Sequence, residues 1–234
     1  MTRKEYIKEL LDIYTVVNII KSTETKEVIR VRHRKLGKDM VIRSYPHPVP
    51  AYDFLCGCIH KNIPIVYDTY MVEDGEIVLE EYISGITVDE IIENKSYTYR
   101  GAKEVLTQIC DALEFLHGSG FVHRDIKPEN IMVSDDGCCK LMDFDVSKEI
   151  RGDKNADTDI LGTVGYASPE QYGIAQSDAR SDIYALGILL NVMLTGKHPS
   201  ELLVKGKAGR IVLKSTQINP EQRFNSVNEF RKAL

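Results

Sequence analysis

His123-Arg124-Asp125-Ile126-Lys127-Pro128-Glu129-Asn130 decides the reading of this chain, because it sets a carboxylate base, a cation and a hard oxygen ligand in one tight loop. Asp125 is the candidate base, Lys127 the cation, and Asn130 offers the kind of oxygen that hard divalent metals accept. A second such oxygen follows in Asp143-Phe144-Asp145, at the end of a β-prone run. Upstream, Ala102, Val105, Leu106, Ile109, Leu113 and Leu116 mark a long amphipathic helix that stops at Gly118 and Gly120. Short strands are predicted around Ile131 to Val133 and Cys138 to Met142, so the loop sits between a helix and a hairpin.

Phosphoryl transfer asks for these groups: a metal to bridge phosphates, cations to meet their charge, and a carboxylate to receive a hydroxyl proton. The order of the motifs resembles the eukaryotic-type (Hanks-type) Ser/Thr protein kinases. It continues in Gly162-Thr163-Val164-Gly165-Tyr166-Ala167-Ser168-Pro169-Glu170, which is similar to the Ala-Pro-Glu close of that family's activation segment. Ser181-Asp182-Ile183-Tyr184-Ala185-Leu186-Gly187 resembles the start of its central buried helix. Asn219-Pro220-Glu221-Gln222-Arg223 resembles the late arginine that pairs with the segment-ending glutamate, here Glu170. Taken singly, each has a plainer reading. Asp182 would be a helix N-cap, and Glu170 with Arg223 a solvent ion pair worth little.

The resemblance implies an α+β, bilobal fold in a single domain over 1–234, with a small β-rich lobe over 1–81, a hinge at 82–85 and a helical lobe over 86–234. It implies ATP and magnesium as cofactors and transfer of the γ-phosphoryl to Ser or Thr hydroxyls of a protein substrate. Asp125 is then the base, Lys127 the charge stabiliser and Thr163 their companion; Lys127 and Thr163 point to the Ser/Thr branch. Asn130 and Asp143 hold magnesium. Nucleotide contacts fall to Arg43, Glu81, Ile83, Lys127, Asn130 and Asp143, with adenine against Glu81 to Ser84. Arg124 is a cation that a phosphate on the activation segment, for instance at Thr158, would engage.

The first third reads as strands behind a short helix. Thr2-Arg3-Lys4-Glu5 is a capping box ahead of the apolar stripe Tyr6, Ile7, Leu10, Leu11 and Tyr14. Strands are predicted at Val16 to Lys21, Glu27 to His33, Met40 to Tyr45, Ile65 to Val72 and Glu76 to Glu80. Prolines 46, 48 and 50 leave room only for a stubby helix at about Ala51 to His60. A second capping box starts at Thr87, and helices are expected over Ser181 to Leu194 and Glu221 to Leu234.

This third also departs from the family. The turn Lys21-Ser22-Thr23-Glu24-Thr25-Lys26 has no glycine to let backbone amides approach phosphates. Arg43 stands where the pattern has a lysine, which changes shape as well as length. Its helix partner is missing, since Asp53 is the sole acid between Ser44 and Pro64; an Arg43–Asp53 pair is one way to restore the distance. Glu80 precedes the hinge, where an acid narrows the inner pocket. Asp145 replaces a glycine after Phe144, and the stretch from Tyr184 to Arg223 looks trimmed. These losses keep two rivals open: a pseudokinase acting as a scaffold or allosteric module, and a small-molecule kinase of the same fold, against which Ala-Ser-Pro-Glu and Lys127 count.

Composition limits the rest. With 30 basic and 35 acidic side chains and a net charge of −5, the chain is no general polyanion binder, and no nucleic-acid partner is expected. Five cysteines at 56, 58, 110, 138 and 139 lack zinc-site spacing and read as reduced thiols, which places the protein in the cytoplasm. No signal peptide is evident, and the apolar run from Tyr184 to Leu194 falls short of the ~20 residues a membrane span needs.

Overall fold

The computed structural model describes residues 1–150, 163–173 and 176–234, and the chain divides into two units, Met1–Ser84 and Gly85–Leu234. Thr158 and Gly162 lie outside the described residues.

In the first unit, helix α1 (Arg3–Leu10) opens on the capping box, with Thr2 accepting from the Glu5 amide and Glu5 reaching back to the Thr2 amide. Strand β1 (Tyr14–Ser22) is followed by β2 (Glu27–His33) and β3 (Asp39–Tyr45), then helix α2 (Pro50–Leu55), β4 (Val66–Val72) and β5 (Gly75–Glu81). They form one antiparallel sheet in the order β1-β2-β3-β5-β4. Alternation puts Ile29, Val31, Met40, Ile42, Ile77 and Leu79 together, and Ile7 and Leu10 of α1 join them in one apolar cluster. Residues of opposite parity, Val41, Arg43, Val78 and Glu80, therefore point to the other face.

Helix α2 is shorter than the expected Ala51–His60. Cys56 leaves it in an extended conformation and bridges to Val66, and Gly57 turns left-handed at φ +83°. The glycine-free turn between β1 and β2 is closed by a side chain: Thr23 Oγ1 accepts from the Lys26 amide at 3.0 Å and donates to the Lys26 carbonyl at 3.2 Å.

The second unit begins with β6 (Gly85–Thr87) and α3 (Val88–Asn94), whose N-terminus carries the Thr87–Glu90 capping box. Helix α4 (Tyr99–Gly118) buries the predicted apolar stripe. Then come β7 (Phe121–Val122), β8 (Ile131–Ser134), β9 (Cys139–Leu141) and β10 (Lys148–Glu149), with β6-β8-β9 forming one sheet and β7 pairing with β10. Helix α5 (Ala179–Thr195) is buried nearly all round, as its apolar sequence demands.

Three expectations change here. The N-cap of α5 is Asp178, whose carboxylate accepts from the Arg180 amide; Asp182 sits inside the first turn with another role. The stretch between α5 and Arg223 holds a helix that the sequence reading did not include, α6 (Gly206–Ser215), packed so closely on α5 that a Cβ on Gly187 would lie 2.5 Å from Ser215 Cβ. Two glycines weaken its helical signal in the sequence. The final helix is not continuous from Glu221: a single 3₁₀ turn, Pro220–Gln222, gives way to an extended Arg223, and α7 (Val227–Ala233) starts only at the Ser226 cap.

Candidate active site

The loop between α4 and β8 is held from below by one carboxylate. Asp182 Oδ2 accepts from the His123 amide at 3.0 Å and from His117 Nε2 at 2.7 Å, while Oδ1 accepts from the Arg124 amide at 2.8 Å. Complete burial works against its charge, yet the bond from His117 and the surrounding donors keep its pKa below the ordinary carboxylate range. Burial pushes the pKa of His123 down, and its Nε2 faces the Met142 carbonyl at 3.1 Å. Arg124 and Asp143 both adopt left-handed backbone, at φ +70° and +64°. Such conformations are costly for side-chain-bearing residues and persist where surrounding bonds over-determine them. Asp145 lies outside that region, so its position needs no glycine in this conformation.

On this frame Asp125, Lys127 and Thr163 form a closed triangle. Lys127 Nζ lies 2.8 Å from Asp125 Oδ2 and donates to Thr163 Oγ1 at 2.7 Å, while Thr163 Oγ1 donates to Asp125 Oδ1 at 2.6 Å. Desolvation would raise Asp125, but the bonds from Lys127 and Thr163 bring it below its usual value, so it is ionised at neutral pH.

Asn130 joins the same group. Its Nδ2 donates to the Asp125 carbonyl at 2.9 Å and to Asp125 Oδ2 at 2.8 Å, which leaves its amide oxygen as the group for another partner. The Met142 amide donates to the Asn130 carbonyl at 2.8 Å, so Asp143 begins directly beside the asparagine loop. Two hard oxygens fit a magnesium ion that keeps waters and takes phosphate oxygens. Among the described residues no group of three or more His, Cys, Asp and Glu side chains gathers as an all-protein cage.

The segment after the triangle is anchored by a buried ion pair. Arg223 Nη1 and Nη2 donate to Glu170 Oε1 and Oε2 at 2.6 and 2.9 Å, a bidentate fork, with side chains 0% and 4% exposed. Ser181 Oγ adds a bond to Glu170 at 2.8 Å. This is no solvent pair: burial alone would raise Glu170, and Arg223 reverses that, lowering it. Gln171 Nε2 donates to the Arg124 carbonyl at 2.8 Å and so ties the segment to the loop from His123 to Asn130.

In the first unit the Arg43–Asp53 pair, one of two readings the sequence left open, gives way to another. Arg43 Nε donates to Glu80 Oε1 from the neighbouring strand, and Asp53 instead accepts from Thr69 Oγ1 at 3.0 Å. The sheet register explains the choice. Arg43 stands opposite Val78 and Val41 opposite Glu80, so arginine and glutamate are diagonal neighbours on one face. Of the predicted hinge contacts, Glu81 pairs with Ile65, its amide donating to the Ile65 carbonyl at 2.8 Å and its carboxylate accepting from the Ile65 amide at 3.0 Å; Ile83 is buried. The part of Glu80 as partner of Arg43 escaped the sequence reading. Its signal was present, as an acid at the right parity of a strand otherwise apolar over Ile77 to Leu79.

The protein kinase domain family model matches residues 13–232. The chain belongs to the protein kinase family, in its Hanks-type Ser/Thr branch. It is 35% identical over 206 residues to serine/threonine-protein kinase PknB of Mycobacterium tuberculosis, covering 75% of this chain and 33% of that one. It is 40% identical over 200 residues to a probable serine/threonine-protein kinase of Clostridium acetobutylicum, covering 75% and 30%. A probable PknB of Corynebacterium glutamicum is 38% identical over 150 residues, covering 61% and 23%. The chain thus spans about a third or less of the length of these relatives.

Proposed function

We propose that this chain transfers the γ-phosphoryl group of ATP to Ser or Thr hydroxyls of a protein substrate. The observation that carries this is the triangle of Asp125, Lys127 and Thr163, in which a hydroxyl already donates to the Asp125 carboxylate at 2.6 Å. A substrate hydroxyl requires that same bond.

In the step, the hydroxyl oxygen forms a bond to the γ-phosphorus as the bond from phosphorus to the bridging oxygen of ADP breaks. The hydroxyl proton passes to Asp125. Lys127 meets the charge on the transferring oxygens, and Thr163 orients both. Asn130 and Asp143 would hold magnesium, which would supply charge neutralisation for the phosphates. Arg43 offers the first unit's cation to the nucleotide phosphates, and the backbone of Glu81 and Ile83 receives the adenine. The five cysteines are free thiols, and among the described residues no helix is long and apolar enough to cross a membrane; both support a reading as a cytoplasmic enzyme.

Thermal-shift titration with ATP, with and without magnesium, and transfer of labelled phosphate test this. Stabilisation by magnesium–ATP at millimolar nucleotide is expected, together with transfer by the wild type that Asp125→Asn loses. Equal transfer by both proteins, or no stabilisation, would overturn the assignment and leave a binding module. Mass spectrometry of the product separates protein hydroxyls from small-molecule acceptors.

A further inference from the structure

We propose that Glu80 is the positioning residue for Arg43, so that the cation offered to the nucleotide is set by the register of two strands and not by an acid on helix α2. This rests on the phosphotransferase reading above.

Arg43 and Glu80 are diagonal neighbours on adjacent antiparallel strands, with side chains 11% and 2% exposed. Diagonal partners stand roughly 7–8 Å apart at Cα, a span that an arginine crosses and most shorter side chains do not. Helix α2 supplies no competitor, because its acid, Asp53, is exposed and engaged by Thr69.

The residue type follows from this placement. A guanidinium carries five donors in a rigid fork, so its Nε can bond one carboxylate while its terminal amino groups address another anion. A lysine ammonium is a single point charge on a flexible stem, and a carboxylate held beside it draws that point toward itself. The departures at 43, 53 and 80 are therefore one coupled change. Both partners lie in the sheet core, so displacement of α2 does not separate them.

Steady-state kinetics of Glu80→Gln, Arg43→Met, the double variant and Asp53→Asn test the assignment. Glu80→Gln should raise KM for ATP about 10- to 100-fold, the worth of one charge-assisted contact, with a smaller change in kcat. The double variant should be no worse than Arg43→Met, and Asp53→Asn should match wild type in both constants. An unchanged or lower KM in Glu80→Gln, or losses that multiply in the double variant, would overturn the proposal. If Glu80→Gln fails to fold, Glu80→Asp is read instead. It keeps the charge at shorter reach and should give an intermediate rise in KM; a wild-type KM there overturns the proposal. A wild type that transfers no phosphate would sink the phosphotransferase reading and this role with it, whereas an active wild type whose KM ignores Glu80 removes this role alone.

Discussion

Both units bury an arginine–glutamate pair, and the two are built to different ends. Arg223 and Glu170 lie 53 positions apart and meet in a bidentate fork, with Ser181 on the same carboxylate and the Gln217 and Ile218 carbonyls on the same guanidinium. Arg43 and Glu80 meet between adjacent strands through Nε. The first pair consumes its donors on the protein itself and pins the segment that carries Thr163. The second fixes a cation's position through a bond between neighbouring strands.

The sharpest break between structure and chemistry is expected at Asp125. Asp125→Asn keeps the size of the side chain and an acceptor for Thr163, but removes the proposed base and the charge beside Lys127. The rate of phosphate transfer should fall by about 10²–10⁴, with a much smaller change in thermal midpoint. A variant that unfolds along with losing activity would mean that Asp125 serves the fold as the Arg223 pair does.

Arg223→Ala reverses the pattern. It leaves Glu170 buried with its charge uncompensated, which costs about 3–5 kcal/mol in urea denaturation. The pH dependence follows from the signs. Glu170 in the folded protein titrates below its ordinary 4.5, so its contribution is complete above that value and is lost as pH falls through the folded pKa. Asp182 adds a loss of the same sign below its ordinary 3.8. Without Arg223, burial is the dominant influence on Glu170 and raises it. The part of the acid limb that Glu170 supplies should then disappear and reverse, the glutamate's contribution rising as pH falls, and an acid limb like that of the wild type would show that Arg223 does not set the glutamate's charge.

In the first unit the corresponding change is smaller. Glu80→Gln retains an oxygen for Arg43 Nε but loses the charge, so about 1.5–3 kcal/mol of stability is at stake, the worth of a hydrogen bond between charged groups. Denaturation should rank it below Arg223→Ala, and the reverse order would make the sheet pair the main lock of the molecule.

How far the sequence revealed these arrangements follows from the range of the interactions. The capping boxes at Thr2 and Thr87 and the stripe of α4 are local patterns, and each appears where it was read. The loop from His123 to Asn130 was legible because its chemistry is contiguous. Glu170 and Arg223 were legible through two motifs, though their burial was not. Arg43–Glu80 was missed because it depends on which strand lies beside β3, and β5 is its neighbour only through the sheet order. Helix α6 was missed because it carries two glycines, of which Gly206 turns left-handed at the start and Gly209 serves close approach: a Cβ there would lie 2.1 Å from the Val204 carbonyl oxygen. The expected helix from Glu221 failed because Arg223 is drawn into extended backbone by its bonds to Glu170 and to the Gln217 and Ile218 carbonyls.

The smallest effect bears on the sheet pair most directly. The sequence offered Asp53 either as a partner of Arg43 or as a decoration of the short helix, and in the structure it is an exposed helix residue bonded to Thr69 Oγ1. Asp53→Asn preserves an acceptor for that hydroxyl and removes one solvated charge, so stability should stay within about 0.5 kcal/mol of wild type. If α2 supplied the partner of Arg43, the same substitution would strand a buried guanidinium and cost several times more, with loss of nucleotide stabilisation in the same thermal scan. A silent Asp53→Asn beside a damaging Glu80→Gln therefore places the counter-charge on the strand, through two substitutions that each change a carboxylate to its amide and alter nothing else.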